Sequence, residues 1–183
     1  MSRIRLPALA PLAAAPLALA APPAAADEIY GGVYAHGVDT PFTFGTGEGG
    51  ADLQAGYRFD EIDALRAIGR PQPYVFVSVN TDGDTNFAGA GLSWKVELGP
   101  VYLRPGIGLV VHDAPERRVD PATGIRTDLG SRVLFEPEIA VGLNLSERWS
   151  VEASWVHISN AQIFDSQQNP GIDTMGIRLN FAL

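Results

Sequence analysis

Between Ile29 and Phe181 apolar and polar residues alternate with a period of two, in eight stretches separated by Gly, Pro, Asp and Asn. That period is the signature of strands with two unlike faces. The first stretch is Ile29 to Val38. The second, Asp52 to Phe59, sets Leu53, Ala55, Tyr57 and Phe59 against Asp52, Gln54, Gly56 and Arg58. The third, Pro73 to Asn80, is apolar on both sides, and its pattern assigns no inward face. The fourth sets Ala88, Ala90, Leu92, Trp94 and Val96 against Gly89, Gly91, Ser93 and Lys95. The fifth sets Val101, Leu103, Ile107, Leu109 and Val111 against Arg104, Gly106, Gly108 and His112. In the sixth, Val133, Phe135, Ile139, Val141 and Leu143 oppose Arg132, Glu136, Glu138, Gly142 and Asn144. In the seventh, Val151, Ala153 and Trp155 oppose Ser150, Glu152 and Ser154; in the eighth, Met175, Ile177, Leu179 and Phe181 oppose Thr174, Gly176, Arg178 and Asn180.

Most of these strands carry one apolar face and one face of glycines and mixed charges. A soluble sandwich would bury the apolar face and wet the other. Glycines and ions of both signs suit a narrow interior instead, inside an apolar outer band. The predicted fold is an eight-stranded antiparallel transmembrane β-barrel of the outer-membrane type. Trp94, Tyr57, Phe59, Trp149, Trp155 and Phe181 would form its interfacial girdles. Glu136, Glu138, Glu152, Arg104, Arg132 and Arg178 would fill the interior as an ion-pair network, and His36 and His112 would be satisfied interior residues. The connections alternate in length: 98–100 and 146–148 are tight, whereas 39–51, 113–130 and 160–170 are long, as expected for periplasmic turns and external loops. The 60–71 connection is longer than this rule predicts, and Ile62, Leu65 and Ile68 are spaced for a short amphipathic helix. An eight-stranded interior is only wide enough for side chains, which argues against a pore.

Composition places this barrel. Residues 1–26 read as a cleavable export leader: Arg3 and Arg5, an Ala/Leu/Pro run, then Ala24-Ala25-Ala26 before Asp27. Residues 27–183 are expected to be one domain. Two of the 13 basic residues and none of the 21 acidic ones lie in the leader, so residues 27–183 carry a net charge of −10. That balance disfavours nucleic acid. The absence of cysteine removes thiol catalysis and disulfides. The expected location is the outer membrane of a Gram-negative bacterium.

Two segments carry candidate chemistry: Trp155-Val156-His157-Ile158-Ser159-Asn160-Ala161, and Asn169-Pro170-Gly171-Ile172-Asp173. Residues two apart on a strand share a face at about 6.6 Å, so an imidazole at 157 can lean toward a hydroxyl at 159. A hairpin centred near Asp165 pairs residues whose numbers sum to 330: His157 with Asp173, Trp155 with Met175, Ala153 with Ile177. A slip of one residue would turn Asp173 inward. Serine needs a base to become a nucleophile, histidine can serve near neutral pH, and a carboxylate fixes its tautomer. Asn160 and the N–H groups after Ser159, including that of Ala161, are candidate oxyanion donors. Alone, His-x-Ser also describes an interfacial histidine beside an ordinary serine. Three polar groups on an apolar face are costly in lipid, which favours a functional reading.

These segments, closing an exported eight-stranded barrel, resemble the PagL family of outer-membrane lipid A 3-O-deacylases over about the last 30 residues. The resemblance implies an esterase that removes the 3-linked acyl chain of lipid A, with Ser159 as nucleophile, His157 as general base and Asp173 orienting it. It implies lipopolysaccharide as substrate, contacts with outer-membrane lipids and no metal or organic cofactor, and leaves a homodimer open. The departure is Asp173, where better-known members carry glutamate; Asp173→Glu is therefore expected to retain or raise activity. Two rivals remain: a non-catalytic adhesion or integrity barrel, and an outer-membrane phospholipase, whose architecture is larger. Gly45 to Gly50 lacks the lysine of a nucleotide loop, and Asp82-Gly83-Asp84 reads as a turn before a cation site. Asp113, Glu116, Asp120 and Asp128 share a loop with Arg117, Arg118 and Arg126, which are either solvated or directed at lipid phosphates.

Overall fold

The alternating stretches form eight antiparallel strands: β1 Glu28–Ala35, β2 Ala51–Arg58, β3 Gln72–Asn80, β4 Phe87–Ser93 with a continuation at Val96–Leu98, β5 Val101–His112, β6 Val133–Asn144, β7 Trp149–Ile158 and β8 Ile172–Ala182. The computed structural model describes residues 27–43, 46–115, 118–119, 126–163 and 169–183. The expected leader, Gly45, Glu116, Arg117, Asp120 and the hairpin centre Asp165 lie outside the described residues, as do the side chains of Arg118 and Arg126. Sequential strands pair in order, and β1 pairs with β8 from Glu28↔Ala182 to Ala35↔Met175. Every strand thus has two hydrogen-bonded neighbours, so the sheet has no open edge to leave unsatisfied in lipid. Among the described residues no helix is long and apolar enough to cross a membrane, so crossing falls to the strands.

The apolar face points outward. Leu53 is 57 % exposed and Ile177 63 %, whereas Arg58, Arg104 and Glu152 are fully buried. β3, whose pattern gave no orientation, turns Tyr74 and Phe76 inward and Val75, Val77 and Val79 outward. Glycines opposite it make the room: a Cβ at Gly91 would lie 2.5 Å from the Tyr74 hydroxyl, and one at Gly89 would lie 2.7 Å from Phe76 Cε1. At the end of the barrel that holds both strand termini Glu28 and Ala182, Tyr57 and Phe59 rings meet at 4.8 Å, and Trp149 and Phe181 rings at 4.7 Å.

An ionic plug fills the lumen, with a membership different from the predicted one. Glu152 accepts hydrogen bonds from Arg104 Nε and Tyr102 Oη at 2.9 and 2.8 Å, and from Arg178 Nε. Glu28 pairs with Arg58 and Arg104 at 3.1 and 3.0 Å, and Glu138 with Arg178 at 2.8 Å. Glu28 and Arg58 belong to the network, although alternation alone could not show which side chains reach across the lumen. Among the described residues Arg132 does not join it: near the rim, its Nη1 donates to the Ala114 carbonyl at 2.6 Å. Glu136 accepts the Tyr74 hydroxyl.

The 60–71 connection forms only a 3-10 helix, Asp63–Ile68, with no buried residue, so the expected amphipathic face has nothing to cover. It ends at Gly69, φ 93°, in the left-handed region. Asp82-Gly83-Asp84 is the β3–β4 turn, where Asn80 Oδ1 accepts the N–H groups of Asp82 and Asp84 at 2.8 and 3.1 Å. His36 is satisfied as expected, its Nδ1 on Asp52 at 2.9 Å and its Nε2 on Glu48 at 2.6 Å. His112 Nε2 donates to the Ser131 carbonyl at 2.6 Å.

Candidate active site

The register of β7 and β8 decides whether the candidate residues meet. It pairs Ala153 with Ile177, Trp155 with Met175 and His157 with Asp173, all with sums of 330. Val156 and Ile158 point inward and are buried, which turns Trp155 and His157 to the outer wall. His157 Nδ1 donates to Asp173 Oδ1 at 2.7 Å. With the proton assigned to Nδ1, the Nε2 lone pair is left to accept another. The shorter acid therefore reaches the histidine.

Ser159 lies just beyond β7 at the same parity as His157. Its main chain forms a two-bond bridge with Phe135: Ser159 N–H donates to the Phe135 carbonyl at 3.0 Å, and Phe135 N–H donates to the Ser159 carbonyl at 2.8 Å. No hydrogen bond joins Ser159 Oγ to His157 among the described residues. The two strands explain this: the imidazole leans sideways to its cross-strand partner rather than along β7 to its i+2 neighbour.

Asn160 is fully buried and is held by the protein itself. Its N–H donates to Asn169 Oδ1 at 2.9 Å, its Nδ2 to the Leu129 carbonyl at 3.1 Å, and its Oδ1 accepts the Gln162 N–H at 2.6 Å. It closes a tight turn to Ile163, whose N–H reaches the Asn160 carbonyl at 3.0 Å. Ala161 and Gln162 between them have φ of 52° and 58°, a left-handed conformation that non-glycine residues seldom adopt. Ala161 is exposed, and its N–H donates to no protein group among the described residues. Of the two oxyanion candidates, Ala161 is thus the one with a backbone donor free to turn to a ligand.

The strand pattern missed the shield over this site. Asp173 is fully buried, and Ser159 is only 7 % exposed, although both sit at outward parity. The β1–β2 connection covers Asp173 and the ring of His157 beside it. Thr40 Oγ1 donates to Asp173 Oδ2, and Val38 N–H donates to the Asp173 carbonyl at 2.9 Å. The Phe42 ring lies 5.5 Å from Trp155 and 6.5 Å from His157. Gly171, φ 65°, packs on the imidazole so closely that a Cβ would fall 2.8 Å from His157 Cε1. Nothing in the period-two pattern marks Thr40 or Phe42, because their contacts span more than 100 residues of chain (133 for Thr40). Gly171 is visible in the sequence only as a member of the Asn169-to-Asp173 segment, with no contact to His157 implied.

With the geometry in place, comparison with known proteins is informative. A family model described as lipid A 3-O-deacylase (PagL) matches residues 74–182, more than half of the chain. A comparison with curated proteins found no match. Among solved structures, the chain is similar to the outer-membrane enzyme PagL at 17 % identity and TM-score 0.59, covering 85 % of this chain and 99 % of that one. It is similar to neisserial surface protein A at 7 % identity and TM-score 0.54, with 86 % and 97 % coverage. It also matches the N-terminal β-barrel domain of Pseudomonas aeruginosa OprF at 8 % identity and TM-score 0.50, with 84 % and 97 % coverage. At such identities the structural likenesses establish the outer-membrane barrel fold, while the family match carries the activity. The chain belongs to the lipid A 3-O-deacylase (PagL) family and is an ester hydrolase of the outer membrane.

Proposed function

We propose that Ser159, His157 and Asp173 are the triad with which this enzyme removes the 3-O-linked acyl chain of lipid A. The observation that carries the reading is the cross-strand bond between His157 Nδ1 and the buried Asp173 carboxylate, beside a serine of the same parity. His157 Nε2 takes the proton of Ser159 as the hydroxyl oxygen attacks the ester carbonyl. The carbonyl oxygen, now an anion, is stabilised by the Ala161 N–H at the turn that Asn160 holds in shape. Collapse breaks the bond to the sugar oxygen, which leaves with the proton from His157. Water, deprotonated by the same imidazole, then releases the fatty acid from Ser159. Asp173 keeps the imidazole in the tautomer that both proton transfers need. The serine-to-histidine bond forms on substrate binding, as catalytic hydrogen bonds often do.

The surroundings suit a lipid. The wall below the site, with Ala153, Trp155, Met175 and Ile177, is apolar and accepts acyl chains as the bilayer does. The loop shield keeps the polar trio out of hydrocarbon, where it would be costly. We further propose that residues 1–26 are a cleaved export leader, which N-terminal sequencing of the outer-membrane protein checks directly.

The decisive experiment is mass spectrometry of lipid A from a Gram-negative host expressing the protein, beside Ser159→Ala and His157→Asn. The expected result is loss of one 3-hydroxyacyl chain with the unmutated protein only. Removing a triad member is expected to lower the rate at least about 10⁴-fold. Undiminished deacylation by either folded variant would refute the triad. Unchanged lipid A with all three proteins folded would favour the non-catalytic barrel or another lipid, which phospholipid analysis of the same cells separates.

A further inference from the structure

The carboxylate of Asp173 has two oxygens, and the triad uses one. Oδ1 accepts from His157 Nδ1, while Oδ2 accepts from the hydroxyl of Thr40. Thr40 stands in the connection after β1, outside the residues matched by the family model. We propose that Thr40 is a positioning residue for deacylation, which fixes the plane of the Asp173 carboxylate and through it the histidine. The proposal rests on the triad reading above.

The direction of the Thr40 bond is determined by its neighbours. Thr40 Oγ1 accepts the Phe42 N–H at 3.1 Å, and a carboxylate accepts only, so the hydroxyl proton goes to Asp173. The rest of the segment is braced for this. Thr40 N–H donates to Thr43 Oγ1 at 3.3 Å, and the Thr40 carbonyl accepts the Thr43 N–H at 3.3 Å. Val38 N–H meets the Asp173 carbonyl at 2.9 Å, so residue 173 is gripped through main chain and side chain by one short stretch.

An aspartate has two side-chain torsions, and the outer one is broad and roughly two-fold. A bond on Oδ1 alone leaves the carboxylate free to swing about that axis. A second bond on Oδ2 removes the swing, and the imidazole inherits a fixed orientation with Nε2 directed outward to the serine. The arrangement is independent of the lumen plug, since none of its arginines or glutamates bonds to Asp173 or Thr40 among the described residues. Thr40 touches no reacting atom; its effect passes through Asp173.

The test is Thr40→Val, which keeps the shape and removes the donor, assayed on dispersed lipid A per folded barrel. Loss of a hydrogen bond to a charged group should lower kcat about 10- to 100-fold with KM unchanged. Thr40→Ser, which restores the donor, should recover most of that loss. In an Asp173→Ala background Thr40→Val should cost nothing further, because the group it acts through is gone. An unchanged kcat in Thr40→Val, or an equal additional loss in the Asp173→Ala background, overturns the proposal. Thr40→Ala provides a second donor-less variant should Thr40→Val fail to fold, and the same outcomes apply to it. His157→Asn measured alongside separates the two readings. If it is inactive while Thr40→Val is unimpaired, only the role of Thr40 fails; if it is active, the triad fails and this proposal with it.

Discussion

The lumen and the outer wall of this barrel both bury charged groups on strands, and they do so in opposite ways. In the lumen most charges are multiply paired: Glu152 is met by Arg104 and Arg178, Arg104 also by Glu28, and Arg178 also by Glu138, while among the described residues Arg58 Nε and Glu136 Oε1 are buried without a hydrogen bond. At the wall site, among the described residues, the histidine meets one carboxylate and no guanidinium, with one ring nitrogen tied and the other available. Saturation makes a rigid filler, because no proton or charge can move without stranding a partner. The proposed triad needs the opposite, a base with one nitrogen open to take and return a proton. Polar residues inside a membrane protein therefore separate into structural and chemical groups by how completely they are paired, more than by how deeply they are buried.

Variants of the two regions should break this contrast in opposite senses. The largest effect belongs to the wall: His157→Asn removes the proposed proton carrier and should abolish the reaction, yet the barrel should stay heat-modifiable and fully assembled. Next is the lumen. Glu152→Gln leaves Arg104 and Arg178 short of a buried counter-charge, and breaking a buried pair costs about 3–5 kcal/mol. Urea unfolding should show that loss, while deacylation per folded molecule stays as it was. If Glu152→Gln were stable but inactive, the separation of the two regions would collapse.

A smaller effect tests how closely the wall site is fitted. From sequence alone, Asp173→Glu is expected to retain or raise activity by restoring the family's usual acid. The structure leads to the opposite expectation. Asp173 is fully buried with both oxygens bonded, and the added methylene must displace His157 or break the Thr40 bond. Overpacking of this kind costs about 1–3 kcal/mol, so kcat should fall roughly 5- to 150-fold. A glutamate variant as fast as the unmutated enzyme would show that the site accommodates both acids.

These outcomes also mark what the sequence could carry. Strand alternation gave the barrel and its outward apolar face, and turn symmetry gave the His157–Asp173 register, because both depend on spacing along the chain. The site partners from the first loop were invisible. Thr40 and Phe42 reach Asp173 and His157 only after the ring closes between β1 and β8, and no local pattern encodes a closure. The lumen was half legible for the same reason. Alternation said which residues point inward, but Glu28 and Arg58 joined the plug, and Arg132 left it, according to distances across a lumen that a one-dimensional pattern does not contain.

The smallest effect lies between the two regions, at the loop end of the lumen. His36 sits just past β1, buried, with Asp52 on one nitrogen and Glu48 on the other. Glu48 is itself held by the Thr85 hydroxyl at 2.7 Å, and Asp52 by Asn80 Nδ2 at 2.9 Å. Burial would favour the neutral ring, but the hydrogen bonds and charges of the two carboxylates outweigh it and raise the pKa from 6.5 to about 9. A pKa raised by folding means that the folded state holds the proton more tightly. The stabilisation is then complete below the unfolded value of 6.5 and disappears as pH rises through about 9. His36→Gln, which keeps polarity without charge, should therefore lower the thermal midpoint clearly at about pH 6 and hardly at about pH 10. An equal drop at both pH values would mean that His36 holds the loop by shape alone. Because His36 bonds to Asp52 and Glu48 and, among the described residues, to no member of the proposed triad, deacylation rates of the folded variant should be unaltered at either pH. That would make this histidine, unlike His157, a member of the saturated class despite its position at the edge of the plug.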